Sequence, residues 1–134
     1  MIFLDSWIWI KYFSQGSTSK KAESVIRILS IEGGITSTVS ILEVKYRIAK
    51  QFGITQANEV VAAIESIEKL HILPVDNAVA HYAADIRLKY YNKKKALSFI
   101  DCINLSMAIL ARCTLLYTGD ADFKDIEEIK TVIV

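Results

Sequence analysis

The sequence predicts an α/β protein: a three-layer α/β/α sandwich with a mainly parallel central sheet. Five short apolar runs alternate along the chain with longer segments in which apolar residues recur at helical spacing. The apolar runs are continuous, as expected for strands that helices cover on both faces. Strands that alternate with helices in this way favour parallel pairing, because each helix carries the chain back to the edge where the next strand starts.

The length and composition are those of one folded domain. The chain has 134 residues, of which 52% are hydrophobic and 23% are charged. These values exclude disorder and low complexity, so we expect a single domain over residues 1–134. Lys and Arg total 16 and Asp and Glu total 15, a net charge of +1. Any binding to nucleic acid must therefore depend on a local patch or on metal ions, not on bulk charge.

Each of the five apolar runs is short enough to be a strand. The predicted strands are residues 2–4, 34–37, 71–75, 114–117 and 131–134. Pro74 lies in the third run and has no backbone N–H to donate, so this run is predicted to be an edge strand or a short one.

The segments between these runs show helical periodicity. The predicted helices are residues 19–30, 40–52, 55–70, 76–91 and 98–112. Gly53 follows the second of these and is a suitable residue to end a helix. The last is almost entirely apolar, so we expect it to be buried on most sides. A further helix after the first strand is crowded with aromatic residues, which we expect to be mostly core, with some at a partner surface.

The chain carries no predicted membrane span, signal peptide or disulfide. Its most apolar stretch, residues 102–111, is ten residues long, whereas about 20 are needed to cross a bilayer. The first residues carry no basic side chain before their apolar run, and Asp5 interrupts that run. Cys102 and Cys113 are predicted to lie in one helix, roughly 16 Å apart, too far to bridge. We therefore expect reduced thiols and a cytoplasmic protein.

Acidic residues fall at the carboxyl ends of the predicted strands. Asp5 directly follows the first strand, and Glu43 lies in the first turns of the helix after the second. Asp120 and Asp122 follow the fourth strand, and Asp101 lies near the start of the helix that leads into it. Sites in open parallel sheets form at this edge, so we expect these acids to lie close together.

A cluster of carboxylates of this kind needs a cation. Unpaired, the carboxylates would repel each other and raise one another's pKa. Oxygen ligands suit Mg²⁺ or Mn²⁺ better than zinc, which prefers His and Cys, and neither His71 nor His81 falls near the acids in the predicted layout. A carboxylate-held Mg²⁺ with open water positions is suited to phosphoryl chemistry.

Some of these acids also have a structural explanation. Ser40 and Glu43 have the spacing of a capping box, in which Glu43 would satisfy a backbone N–H. Asp120 and Asp122 could be turn residues, or an N-cap for a last short helix. Asp101 sits among apolar residues, where an unpaired carboxylate is costly, so a functional role is favoured.

A basic loop precedes Asp101. Lys93, Lys94 and Lys95 are the only run of like charges. The loop could border the acidic cleft and contact phosphates, or it could be a solvated loop with no ligand.

Four segments resemble the acidic motifs of PIN-domain proteins. They are residues 2–6 (IFLDS), 36–43 (TSTVSILE), 97–102 (LSFIDC) and 116–123 (LYTGDADF). Residues 72–76 (ILPVD), running on to the YAA at 82–84, resemble the middle of the VapC-type toxins within this family. The resemblance covers essentially the whole chain, and the motifs occur in the family's order.

The resemblance implies a Mg²⁺- or Mn²⁺-dependent ribonuclease with an α/β/α fold. VapC-type members are toxins that cut cellular RNA, are held inactive by a small antitoxin of the VapB type, and commonly form homodimers. The family's four acidic positions match Asp5, Glu43, Asp101 and Asp120, and Asp122 matches an accessory acid.

Two positions depart from the family's usual residues without removing an acid. Position 7 is Trp, where a small or polar residue is usual, and position 102 is Cys, where Ala is common. Either change would affect how substrate approaches, not whether the acids are present.

Three other functions fit parts of this pattern. A phosphoacceptor receiver domain also has acids at strand ends, but it needs two adjacent acids after the first strand, and here Ser6 follows Asp5. A PIN-like module that binds a partner without catalysis, and a PIN nuclease with a housekeeping role in RNA processing, would both share this sequence pattern. Metal-dependent cleavage separates the receiver domain and the silent module from a nuclease.

Overall fold

A computed structural model describes residues 1–14, 19–91 and 97–134. Its centre is a sheet of five strands, in the order β3-β2-β1-β4-β5, and every pair of neighbours is parallel. The strands are β1 (Ile2–Leu4), β2 (Gly34–Ser37), β3 (Leu70–Leu73), β4 (Leu115–Thr118) and β5 (Lys130–Ile133). The third strand ends before Pro74 and lies at an edge of the sheet, as its proline predicts.

Six helices and one short 3₁₀ turn surround the sheet in the part of the chain described. The helices are α1 (Ser6–Ser14), α2 (Ser19–Glu32), α3 (Thr38–Phe52), α4 (Ile54–Glu65), α5 (Asn77–Tyr91) and α6 (Phe99–Leu110), and the 3₁₀ turn is Ala121–Phe123. Gly53, at a φ of 98°, ends α3 as predicted. The fourth helix is shorter than predicted: it ends at Glu65, with Ser66 as its C-cap, and residue 70 already belongs to β3. Cys113 lies beyond the end of α6, so the prediction that both cysteines share a helix is wrong; both thiols are buried and free.

The core has two parts, one on each face of the sheet, because neighbouring residues of a strand point to opposite faces. Phe3 packs with Leu105 and Leu116 on the face that α5 and α6 cover. Ile2 and Leu4 pack on the other face, against residues of α1 to α4. The three-layer α/β/α architecture predicted from the sequence is confirmed.

The aromatic residues of α1 divide between core and surface. Trp9 is fully buried, and its indole N–H donates to the Thr36 hydroxyl at 3.4 Å. That hydroxyl donates in turn to the Leu4 carbonyl at 2.8 Å, so Trp9 ties α1 to the ends of β1 and β2. Tyr12 is exposed, with its ring edge-on to Phe13.

Two further predictions concern the basic loop and the absence of a membrane span. Lys93, Lys94 and Lys95 lie outside the described residues, so their loop stays a prediction. In the described ranges, no helix combines the length and the apolar character that a membrane crossing needs.

Candidate metal centre

Four of the five predicted acids line one cleft at the carboxyl edge of the sheet. The cleft has a volume of about 230 Å³. Its lining consists of Asp5, Ser6, Trp7, Ile10, Lys11, Glu43, Arg47, Asp101 and Asp120. Asp122 is not among these residues. The register explains the convergence: β1 lies between β2 and β4 with Phe3 opposite Ile35 and Leu4 opposite Tyr117, so the three strands end side by side.

Asp5 is the most rigidly held of the four acids. It follows the last residue of β1 and is buried. One carboxylate oxygen accepts from the Ser6 backbone N–H at 2.8 Å and from the Asn104 amide at 3.0 Å. The other accepts from the Thr118 hydroxyl at 2.8 Å. These three donors fix the orientation of the carboxylate at the base of the cleft.

Glu43 points into the cleft from α3. The Ser6 hydroxyl donates to its carboxylate at 3.1 Å. The capping-box alternative for this residue is wrong, because α3 begins earlier than predicted. Its N-cap is Ser37, whose hydroxyl accepts from the backbone N–H of Ser40 at 3.0 Å. Glu43 therefore lies beyond the first turn and leaves the helix end to Ser37.

Asp101 belongs to a capping box that the sequence analysis missed. The Ser98 hydroxyl accepts from the backbone N–H of Asp101 at 3.1 Å, and the Asp101 carboxylate accepts from that of Ser98 at 2.9 Å. This exchange closes the first turn of α6 and turns the carboxylate toward the backbone of Ser98, while Asp101 still lines the cleft. The carboxylate is only partly buried, so the cost of burial is smaller than the apolar sequence around it suggests.

Asp120 both caps a turn and lines the cleft. Its carboxylate accepts from the Asp122 backbone N–H at 2.9 Å, which makes it the N-cap of the 3₁₀ turn Ala121–Phe123. Its own N–H donates to the Thr118 hydroxyl at 3.1 Å. The N-cap alternative for Asp120 is thus confirmed, and it coexists with a place in the cleft. Asp122 contributes a backbone donor behind the acids.

A buried polar network behind the acids was not predicted. Asn104 is fully buried; its amide also donates to the Ser40 hydroxyl at 3.1 Å, and its carbonyl accepts from the Ser37 hydroxyl at 2.6 Å. Asn104 therefore links Asp5 to the start of α3. The available signal was its spacing of three from Asp101, which puts both residues on one face of a helix that is otherwise mostly apolar.

Burial and the charges of neighbouring acids raise the pKa of Asp5, Glu43 and Asp101. Burial is the largest cause for Asp5, whose pKa lies above its ordinary value, and the charge of Glu43 adds to it, against the three hydrogen bonds. Burial also raises the pKa of Glu43, and the Asp101 charge adds to that effect. The pKa of Asp101 rises to about 6, through burial and then the charges of Asp5 and Asp120.

These residues fit a divalent cation. Glu43, Asp101 and Asp120 each accept a hydrogen bond at one carboxylate oxygen, and no described residue donates to the other oxygen. As the side chains stand, no three or more His, Cys, Asp or Glu of the described chain are arranged to hold an ion. The hydrogen bonds explain this: Asp101 and Asp120 are turned toward backbone N–H groups. A cation would need these two side chains to rotate, and its positive charge would offset the repulsion among the carboxylates of the cleft.

Comparison with known proteins identifies the family. The model of the PIN domain family matches residues 2–129. VapBC2 from Rickettsia felis, solved with a DNA fragment from its promoter, superposes with a TM-score of 0.80 at 19% identity, over 98% of both chains. Mycobacterium tuberculosis VapC20, a toxin that cleaves the sarcin–ricin loop, superposes with a TM-score of 0.76 at 18% identity, over 97% of this chain and 99% of that one.

A third solved structure, FitAcB from Neisseria gonorrhoeae, superposes with a TM-score of 0.75 at 19% identity, over 98% of this chain and 96% of that one. The search of curated proteins found no match. At these identities the solved structures establish a shared fold, while the family match spans nearly the whole sequence. The chain belongs to the PIN domain family.

Proposed function

We propose that this chain is a divalent-metal-dependent endoribonuclease that hydrolyses RNA phosphodiester bonds. The observation that carries the proposal is the convergence of Asp5, Glu43, Asp101 and Asp120 on one cleft at the carboxyl edge of the sheet. Membership of the PIN domain family supports it, as does the fold shared with a toxin that cleaves the sarcin–ricin loop.

The four acids of the cleft would hold Mg²⁺, or Mn²⁺ in its place, with Asp122 as an accessory acid behind them. When bound, a divalent ion supplies a more acidic water as nucleophile and offsets the charge that develops on the phosphate. An all-carboxylate ligand set matches the preference of these ions for oxygen.

The protein's own groups prepare the cleft for this chemistry. Three hydrogen bonds hold Asp5 in one orientation, so its ligand oxygens need no reorganisation. Ser6 positions Glu43 in the same way. Arg47 and Lys11 line the cleft beside the acids and present positive charge to a phosphodiester. Without a cation among them, four carboxylates would repel RNA.

We propose further that the chain is the toxin of a VapBC-type toxin–antitoxin pair, a cytoplasmic single-domain protein that forms a homodimer and is inhibited by a small antitoxin of the VapB type. The support is the recurrence of this fold in toxin–antitoxin complexes, among them one from Klebsiella pneumoniae and one from Salmonella typhimurium bound to DNA. Induced expression of the chain alone should arrest bacterial growth, and expression of Asp101→Asn should not. Unimpeded growth with an active nuclease would favour a housekeeping role in RNA processing.

Cleavage of a mixed pool of structured RNA tests the nuclease itself. We expect the purified chain to cut with Mg²⁺ or Mn²⁺ and not with EDTA, and Asp101→Asn to be inactive. Asp85→Asn makes the same chemical change at an exposed position of α5 outside the cleft, and should cut like the parent. Metal-independent cutting, or full activity in Asp101→Asn, would overturn the proposal. No cutting by the parent under any condition would favour a silent binding module.

A further inference from the structure

A second depression continues from the acidic cleft, between α1 and α3. It encloses about 620 Å³. Its walls include Lys11, Arg47 and Ile10, which also line the acidic cleft, so the two depressions lie side by side. We call it the α1–α3 groove. A strand whose phosphate sits at the acids can pass directly into it.

The α1–α3 groove is cationic. Lys11 contributes from α1, and Arg47 and Lys50 from α3. None of the three forms a salt bridge with an acid of the described chain, and no described acid lines the groove. Arg47 acts on Glu43 at longer range, and the ammonium groups of Lys11 and Lys50 lie over the rings of Trp7 and Tyr46, contacts that leave their charge available to a ligand.

The spacing on α3 orders these charges along a line. Glu43, Arg47 and Lys50 are four and three residues apart, so they lie on one face of the helix. At 1.5 Å per residue, Arg47 is roughly 6 Å and Lys50 roughly 10 Å beyond Glu43 along the axis. The two cations thus follow Glu43 along one face of α3, at intervals that successive phosphates of a strand could meet.

The groove also presents an aromatic face. Tyr46 lines it and is 63% exposed, with the Lys50 ammonium 5.9 Å from the ring centroid. Ile10 is the only aliphatic residue among the described lining, so the groove offers little for an apolar protein segment to bury. Proteins bind single strands by stacking unpaired bases on exposed aromatic rings, while nearby cationic side chains contact the phosphates.

We propose that the α1–α3 groove binds a single-stranded segment of the RNA substrate next to the scissile phosphate, with Lys11, Arg47 and Lys50 on phosphates and Tyr46 stacked on a base. The inference rests on the proposed function and extends it, since it assigns which side of the cleft receives the strand. A duplex cannot use Tyr46, because its base faces are already stacked. The enzyme therefore prefers cuts that have an unpaired nucleotide on the groove side.

Binding to the Asp101→Asn protein tests the groove without cleavage. The probe is a short fluorescently labelled RNA, single-stranded or paired with its complement, and anisotropy is measured over a range of salt concentrations. Two groove variants, Tyr46→Leu and Lys50→Gln, are made in this background. Tyr46→Phe keeps the ring, and Lys45→Gln removes a charge from an exposed site on α3 outside the groove. All three positions are exposed, so the four variants should fold.

We expect Tyr46→Leu to weaken single-strand binding about tenfold, the size of one base stack, and to leave duplex binding unchanged. Tyr46→Phe should bind like the parent. Lys50→Gln should reduce the slope of log affinity against log salt by about 0.7, the value for one phosphate contact on a single strand. Lys45→Gln should leave that slope unchanged.

Equal effects of Lys50→Gln and Lys45→Gln, together with no effect of Tyr46→Leu, would overturn the proposal. A synthetic peptide of alternating Glu and Phe provides the competing occupant: if its binding needs Tyr46 and RNA binding does not, the groove receives a protein tail and the proposal is wrong. Failure of the parent to cleave RNA would contradict the proposed function alone, because the groove is tested by binding.

Discussion

Asp101 both caps α6 and lines the cleft. The change in its protonation with pH should therefore change the free energy of unfolding. Its pKa rises from 3.8 to about 6, so the folded protein holds this proton more tightly than the unfolded chain does. The metal-free protein should therefore lose stability as the pH rises from about 4 to about 6. Asp101→Asn removes the charge and keeps an oxygen to accept from Ser98.

We expect Asp101→Asn to raise the free energy of unfolding at neutral pH by about 1–3 kcal/mol, and to have little effect near pH 4, where the parent carboxyl is protonated. Urea denaturation in EDTA across this pH range measures the difference. An equal gain in unfolding free energy at pH 4 and at neutral pH would show that the pKa of Asp101 is not raised.

Asn104 should matter for stability although it is neither charged nor exposed. Asn104→Ala removes one donor from Asp5 and one partner from each of the Ser37 and Ser40 hydroxyls, which keep the hydrogen bond between them. The loss of these buried hydrogen bonds should cost about 1–3 kcal/mol in unfolding free energy, measured by urea denaturation. Asn58→Ala, at an exposed position of α4, is the matched control and should change little. Equal behaviour of the two variants would contradict the role given to the network.

That four acids would line one cleft was predictable, because Asp5 and Asp120 follow strand ends, and Asp101 and Glu43 lie in the first two turns of their helices. Their hydrogen-bond partners were not. Whether Glu43 caps α3 depends on where that helix begins, and a shift of the start from Ser40 to Thr38 moves the capping role to Ser37. Asn104 contacts Asp5 across 99 positions of sequence, a distance that only the folded chain closes.

The junction between α1 and β4 depends on one glycine. A Cβ at Gly119 would overlap the ring of Trp7, which lines the cleft. The φ of Gly119 lies outside the left-handed region, so the glycine provides space for the indole, not a special backbone conformation. Trp7 departs from the family pattern, and the space for its ring is provided by Gly119, just past the end of β4.

Gly119→Ala should destabilise the protein by about 1–3 kcal/mol, because the added methyl displaces the Trp7 ring. In a Trp7→Ala background the same change should cost much less. A double-mutant cycle of unfolding free energies measures this coupling. Additive effects would show that the two residues do not constrain each other, contrary to the packing of α1 on the end of β4.

The strands and helices were predictable to within a few residues at most ends, because apolar runs and periodicity reflect burial on a parallel sheet. The ends that differed are set by pairing and capping. α4 ends at Glu65, where Ser66 is the C-cap, and Leu70 pairs with Gly34 of β2. The Cys113 backbone N–H bonds to the Ala108 carbonyl just past α6, where Arg112 takes a positive φ.

The net charge of the whole molecule is only +1, yet acidic and basic side chains gather in two adjoining depressions. Acids converge where three parallel strands end, and cations line the groove beside them. The acidic half of this arrangement follows from topology and was predictable. The basic half was not, because Lys11 and Arg47 come from separate helices whose packing no local pattern reveals. The predicted basic loop at residues 93–95 lies outside the described residues.

Titration of the metal-free protein with Mn²⁺ in a calorimeter tests most directly whether the four acids form a metal centre. We predict saturable binding that Asp101→Asn weakens by more than about tenfold. Ser98→Ala, which removes the helix cap but keeps the acid, should still bind. Absence of binding by the parent, or equal binding by the parent and Asp101→Asn, would contradict the metal centre and the nuclease mechanism built on it.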